Sequence, residues 1–118
     1  MVDKMENLLR ELKENNLRVI YLSGPISSIG FEKAKSEFDA FEKLLFKNGF
    51  IAVSTFSRMS PKSMEKSYYF RHGVKEMVDC DAVLIVGDNS LSVHSKKEVE
   101  IAEIMGIPIY NVTVTKVK

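Results

Sequence analysis

Apolar positions along the chain fall into two alternating rhythms. Met5, Leu8, Leu9 and Leu12 recur at three- and four-residue spacing, which predicts an amphipathic helix over 3–14 ended by Asn15-Asn16. Residues 18–22 are a short apolar run and predict a buried strand. Phe31, Ala34, Phe38, Phe41 and Leu45 form a second helical stripe, with Asn48-Gly49 as its stop. Phe50 to Val53 predicts a second strand, 54–63 a polar loop containing Pro61, and 64–78 a third helix. Asp81 to Val86 is the strongest strand signal, a continuous apolar run suited to the centre of a parallel sheet. After a loop at 87–94, Ser95 to Met105 predicts a helix, Gly106 its stop, and 107–114 a last strand, with a frayed tail at 115–118.

Strands that alternate with helices imply an α/β fold: a single-domain, doubly wound parallel sheet of four to five strands with helices on both faces, of flavodoxin or Rossmann type. The organisation read from the chain is an N-terminal helix over 1–16 followed by an α/β domain over 17–118. Ligands of such sheets bind beyond the C-terminal ends of the strands, near the point where strand order reverses. Three loops are therefore expected to converge there: 23–30, 54–63 and 87–95.

Composition narrows the partners. With 118 residues, the chain is long enough for one domain with a real core. Apolar residues make up 45% and charged residues 28%, an ordinary globular balance. A formal net charge of +1 provides no broad basic surface for polymeric nucleic acid. A small phosphorylated ligand needs only a local cluster of donors. The single cysteine, Cys80, excludes an internal disulfide and reads as a small core residue. No apolar run has membrane-spanning length and no signal peptide is visible, so a cytoplasmic protein without membrane partners is expected.

Candidate chemistry sits in the converging loops. Tyr21-Leu22-Ser23-Gly24-Pro25-Ile26-Ser27-Ser28 ends a strand in small and hydroxylic residues, with Gly30 before the next helix. Such a turn brings backbone N–H groups toward an anion, or simply caps a helix with hydroxyls. In the last loop, Ser95-Lys96-Lys97-Glu98 has the spacing of a capping box, which by itself accounts for a first-turn glutamate. The functional alternative places Glu98 at the strand C-terminal edge as a nucleophile or stabiliser of a sugar cation. His72 and His94 are the only histidines, and neither shares metal-ligand spacing with Cys80 or a carboxylate, so no metal and no cofactor is assigned. Tyr68, Tyr69 and Phe70 suit either a helix core or stacking on a base. Lys62, Lys66, Lys96 and Lys97 read as solvated surface.

Taken in order, Tyr21-Leu-Ser-Gly-Pro-Ile-Ser27, Cys80-Asp81-Ala82-Val83, Ser92 six residues before Glu98, Glu98-Val-Glu-Ile-Ala102 and Gly106-Ile-Pro108 resemble the nucleoside 2-deoxyribosyltransferase-like superfamily. The resemblance spans roughly residues 18–112. It is nearest to small phage and bacterial members and to the 2′-deoxynucleoside 5′-monophosphate N-glycosidases. It implies cleavage of the N-glycosidic bond of a (deoxy)nucleoside or its 5′-monophosphate, by hydrolysis or transfer. On this resemblance Glu98 engages the anomeric carbon, Tyr21 lies beside it, and Gly24, Pro25 and Ile26 line sugar and base. By the same resemblance Ser92 contacts the phosphate; beside these, Ser23, Ser27, His94 and Ser95 of the converging loops are expected in the substrate site. The chain departs from the pattern at Gly73, where the family has an Asp that protonates the leaving base; either adjacent His72, which one residue along a helix points about 100° away, replaces that acid, or catalysis is lost and binding kept. It departs again at His94 (commonly Gly), at Ser54-Thr55 (often Asn-Pro) and at Ser27 (Arg in some monophosphate hydrolases). The expected partner is a small-molecule nucleoside or nucleotide. The resemblance further implies a homodimer or higher homo-oligomer. Two rivals remain: a nucleotide-binding sensor or sequestering protein without catalysis, and a flavodoxin-like interaction domain without a nucleotide site.

Overall fold

In the computed structural model the described residues are 2–26, 29–54, 66–87, 90 and 92–112; at 2–4, 66–69 and 112 the backbone alone is described. Among the described residues four helices and four strands alternate: α1 (Val2–Glu14), β1 (Val19–Ser23), α2 (Phe31–Lys47), β2 (Ile51–Val53), α3 (Lys66–Met77), β3 (Ala82–Val86), α4 (Val93–Met105) and β4 (Ile109–Val112). The sheet is parallel throughout, in the order β2-β1-β3-β4. The chain leaves β1 toward β2 and returns to β3 on the other side of β1. The strand order therefore reverses between β1 and β3, which makes their C-terminal ends the switch point. The expected doubly wound fold is present, with four strands.

Side-chain alternation along the two inner strands divides the core. Ile20 and Leu22 of β1 with Ala82, Leu84 and Val86 of β3 meet Leu8 and Leu12 of α1 and Phe38 and Leu45 of α2. Tyr21 and Val83 point the opposite way, onto Met77 of α3, Cys80 and Ala102 of α4. The register pairs Ile20 with Ala82 and Ser23 with Ile85, so equivalent faces coincide across the two strands.

The N-terminal helix is part of this packing. Leu12 is 1% exposed, and the Tyr110 hydroxyl of β4 bonds Glu11 of α1. α1 and α2 together cover one face of the sheet, and α3 and α4 cover the other. Asn16 ends α1 in the left-handed region (φ 61°), with Leu17 N–H bonding Leu12 C=O at 2.9 Å.

Two positions fix how β1 meets β3. At its start, Asp81 Oδ2 accepts from both Arg18 N and Val19 N at 2.9 Å. These bonds hold its carboxyl below the usual range, the Val19 N–H contributing most. At its end, Gly24 lies against β3, where an added Cβ would sit on the Val86 carbonyl oxygen. The strand ends can converge only because this residue has no side chain.

Most predicted boundaries agree with the structure to within two residues. The start of α4 is a correction. The helix begins at Val93, with Ser92 as N-cap, whereas the spacing predicted a start at Ser95. The final strand starts at Ile109, two residues later than expected; residues 113–118, the end of the expected strand and the tail read as frayed, lie outside the described residues.

Candidate functional site

β1 and α4 together build a buried polar cluster in an otherwise apolar layer. Tyr21 and Ser23 are two apart on β1 and so share the face turned toward α3 and α4. Ser95 and Glu98 are three apart on α4 and share the face turned toward β1. The Tyr21 hydroxyl donates to Glu98 Oε2 at 2.9 Å. The Ser23 hydroxyl donates to Glu98 Oε1 at 2.8 Å, and Ser23 Oγ lies 2.8 Å from Ser95 Oγ. All four side chains are buried, with Glu98 6% exposed.

This arrangement overturns the capping-box reading of Glu98. Ser92 Oγ accepts from Ser95 N at 3.1 Å, so Ser92 caps α4 and Ser95 sits in its first turn. Glu98 stands one turn deeper, with its carboxylate on Tyr21 and Ser23 rather than on the helix end. Ser92 and Ser95 both suit an N-cap by residue type, so the four-residue spacing alone does not choose between them.

Burial controls the electrostatics. It pushes the Glu98 carboxyl up to about 7, against the lowering effect of the bonds from Ser23 and Tyr21. Tyr21 is raised well above the usual phenol range, chiefly by burial and then by the neighbouring Glu98. Its hydroxyl therefore stays protonated and remains a donor. A carboxyl that titrates near neutrality while held by fixed donors at a strand C-terminal edge is suited to nucleophilic or acid–base work.

The surrounding residues are placed as follows. His94 lies one helical turn before Glu98, nearer the open edge, with its ring centroid 5.2 Å from that of Phe70 on α3. Because helical side chains lean toward the N-terminus, Glu98 leans toward the turn that carries His94. The Phe70–His94 pair thus links α3 to α4 beside the polar cluster. His72 stands on α3 with Nε2 3.8 Å from Glu76 Oε2, and the Glu76 charge is among the causes that raise Tyr21. Pro25 is buried and Ile26 half-buried in the loop after β1, and Ile26 C=O accepts from Gly30 N at 2.9 Å. Ser27 lies outside the described residues, as do Ser28, Thr55 and Lys62. The side chains of Lys66, Tyr68 and Tyr69 are likewise outside them. Lys96 and Lys97 are exposed.

One neighbour of the cluster escaped the sequence reading. Glu76 was passed over although its spacing from His72, i to i+4, was visible; nothing in the chain indicated which face of α3 would meet Tyr21. Ser23 and Ser95 were expected to touch a ligand; the structure gives their hydroxyls to each other and, through Ser23, to Glu98. Cys80 is buried as expected, its Sγ 3.3 Å from Glu76 C=O; burial above all pushes the thiol up to about 12, which leaves it protonated and unreactive. Among the described residues no three His, Cys, Asp or Glu side chains gather as a metal centre would require.

A family described as "Domain of unknown function (DUF4406)" matches residues 18–111. The chain belongs to that family. The DUF4406 match takes in β1, β2, β3, β4 as far as Asn111 and the whole Tyr21–Ser23–Ser95–Glu98 cluster, and it begins after α1. In this DUF4406 protein the helix that completes one face of the sheet therefore lies outside the matched region. No curated protein matches the chain. No described helix is long and apolar enough to cross a membrane.

Proposed function

We propose that this protein cleaves the N-glycosidic bond of a nucleoside or nucleoside 5′-monophosphate, preferring a deoxyribose, in the manner of the nucleoside 2-deoxyribosyltransferase-like enzymes it resembles. One observation carries the reading: the buried Glu98 carboxyl at the switch point, held by Tyr21 and Ser23 and titrating near 7. In the proposed reaction a Glu98 oxygen bonds to C1′ as the C1′–N bond breaks. The bonding pair leaves with the base nitrogen, which takes a proton from an acid. Water or an acceptor base then attacks C1′ and releases Glu98. Tyr21 orients the carboxylate and stays protonated. Gly24, Pro25 and Ile26 border the sugar and base, Ser92 is the phosphate contact, and His72, next to Gly73, is the proposed acid in place of the family's Asp. A homo-oligomer that completes the cleft belongs to the same proposal.

A second reading has its own support. Glu98 is 6% exposed and both its oxygens already accept a hydrogen bond, which suits a site that binds a nucleotide without attacking it. Chromatography of ribo- and deoxynucleosides and their 5′-monophosphates after incubation with the protein separates the two. A free base formed by the wild type and lost in Glu98→Gln supports cleavage. A ligand that raises the melting temperature without any product supports binding alone. Base release undiminished in Glu98→Gln overturns the catalytic role of Glu98.

A further inference from the structure

The hydroxyl pair behind Glu98 has a property that most hydrogen-bond partners lack. A hydroxyl carries one proton and two acceptor lone pairs, so it serves a carboxylate as donor or a carboxylic acid as acceptor. With Glu98 ionised, Ser23 donates to Oε1 at 2.8 Å. Its only proton is then used, so the 2.8 Å contact with Ser95 is one in which Ser95 donates. With Glu98 protonated on Oε1, the carboxylic acid donates to Ser23 and Ser23 donates to Ser95. Tyr21 continues to donate to Oε2 in both states. No heavy atom has to move, because only the hydroxyl protons rotate. A backbone N–H or a lysine in place of Ser23 would serve the carboxylate alone.

We propose that Ser23 is a positioning residue that lets Glu98 change protonation state in place, with Ser95 as the second hydroxyl that makes the reversal possible. The proposal deepens the glycosidase reading and takes its mechanistic meaning from it. A carboxylate that bonds to C1′ loses its charge, and Ser23 is then released from donating and can turn toward Ser95. The same carboxyl keeps its geometry through the ionised, bonded and protonated forms. Besides Tyr21 on β1, the titratable groups around this cluster are Glu76, whose charge reaches Tyr21, with His72 beside it on α3; Cys80 after α3; and His94 one turn away on α4 itself. The bonds that reach the Glu98 oxygens come from Tyr21 and Ser23, so these are the groups whose removal should be felt there.

The test is a carbon-13 NMR titration of glutamate carboxyl groups in the intact protein, with the Glu98 signal assigned by its loss in Glu98→Gln. Ser23→Ala should move the Glu98 midpoint up by about one pH unit or more, since a charge-assisted bond to the carboxylate is lost. Ser23→Thr, which keeps the hydroxyl, should leave it in place. Ser95→Ala should move it in the same direction by less, because Ser95 only strengthens donation by Ser23. If Ser23→Ala does not fold, Ser23→Cys, a weaker donor, should give an intermediate upward shift. A midpoint unchanged in Ser23→Ala or Ser23→Cys, or moved equally by Ser23→Thr, overturns the proposal. Where base release is observed, the acid limb of its pH–rate profile should follow the NMR midpoint across the variants. Absence of base release from the wild type overturns the glycosidase reading alone, and the titration still decides the role of Ser23.

Discussion

The two faces of one strand show how this small domain separates stability from chemistry. Ile20 and Leu22 of β1 enter a layer of packed apolar side chains sealed by α1 and α2. Tyr21 and Ser23, the alternate residues of the same strand, enter the layer under α3 and α4, where Glu98 and Ser95 are also buried. The apolar face needs only to exclude water. The polar face has to satisfy each buried oxygen, and it does so through a connected set of bonds from Tyr21 to Ser95. Changes on the first face should alter stability without changing its pH dependence. Changes on the second should alter pH dependence and function.

The largest expected effect is on the apolar face. Leu22→Ala should destabilise the protein by about 2–5 kcal/mol in urea unfolding, through lost burial and the cavity left behind. The midpoint of the Glu98 titration should stay where it is. A shift of that midpoint would mean that the two faces are coupled through the sheet.

The next effect is on the polar face and depends on pH. Burial raises the Glu98 carboxyl to about 7 in the folded state, so the native protein binds the proton more tightly than the unfolded chain does. Its contribution to stability is then fully present below the unfolded value and falls as pH rises through 7. Between pH 4.5 and 8 the wild type should lose up to about 3 kcal/mol from this group. Glu98→Gln should remove that slope, leaving a flatter profile in chemical unfolding at a series of pH values. A slope unchanged in Glu98→Gln would show that Glu98 titrates as an ordinary carboxyl.

Asp81 should behave with the opposite sign. Its carboxyl is lowered by the N–H groups of Val19 and Arg18, so its contribution is present above the unfolded value and lost as pH falls. Asp81→Ala should cost about 1 kcal/mol at neutral pH, and the difference from wild type should shrink in acid. The smallest effect belongs to the helix end. Ser92→Ala should cost on the order of 1 kcal/mol or less through the lost cap, with recovery in Ser92→Asp, both read from thermal unfolding.

The sequence by itself determined the architecture. Runs such as Ala82 to Val86 and stripes such as Ala34, Phe38 and Leu45 carry the periods of strand and helix, and each period is a local property of the backbone. The alternation of these elements implied a parallel, doubly wound sheet, and with it the edge where a site would form. It also picked out Tyr21 and Glu98, through motifs that lie 77 residues apart. What those residues touch came from the packed fold alone. It placed the cap of α4 on Ser92 rather than Ser95, which removed Glu98 from the helix end. It turned Ser23 and Ser95 inward onto one another. It also folded α1 onto the sheet beside α2, although α1 lies outside the family match. Each of these depends on which way a side chain points once a strand is paired and a helix is docked. A hydroxyl on a strand is equally ready to face water, a ligand or a carboxylate, and only the packed neighbour decides which.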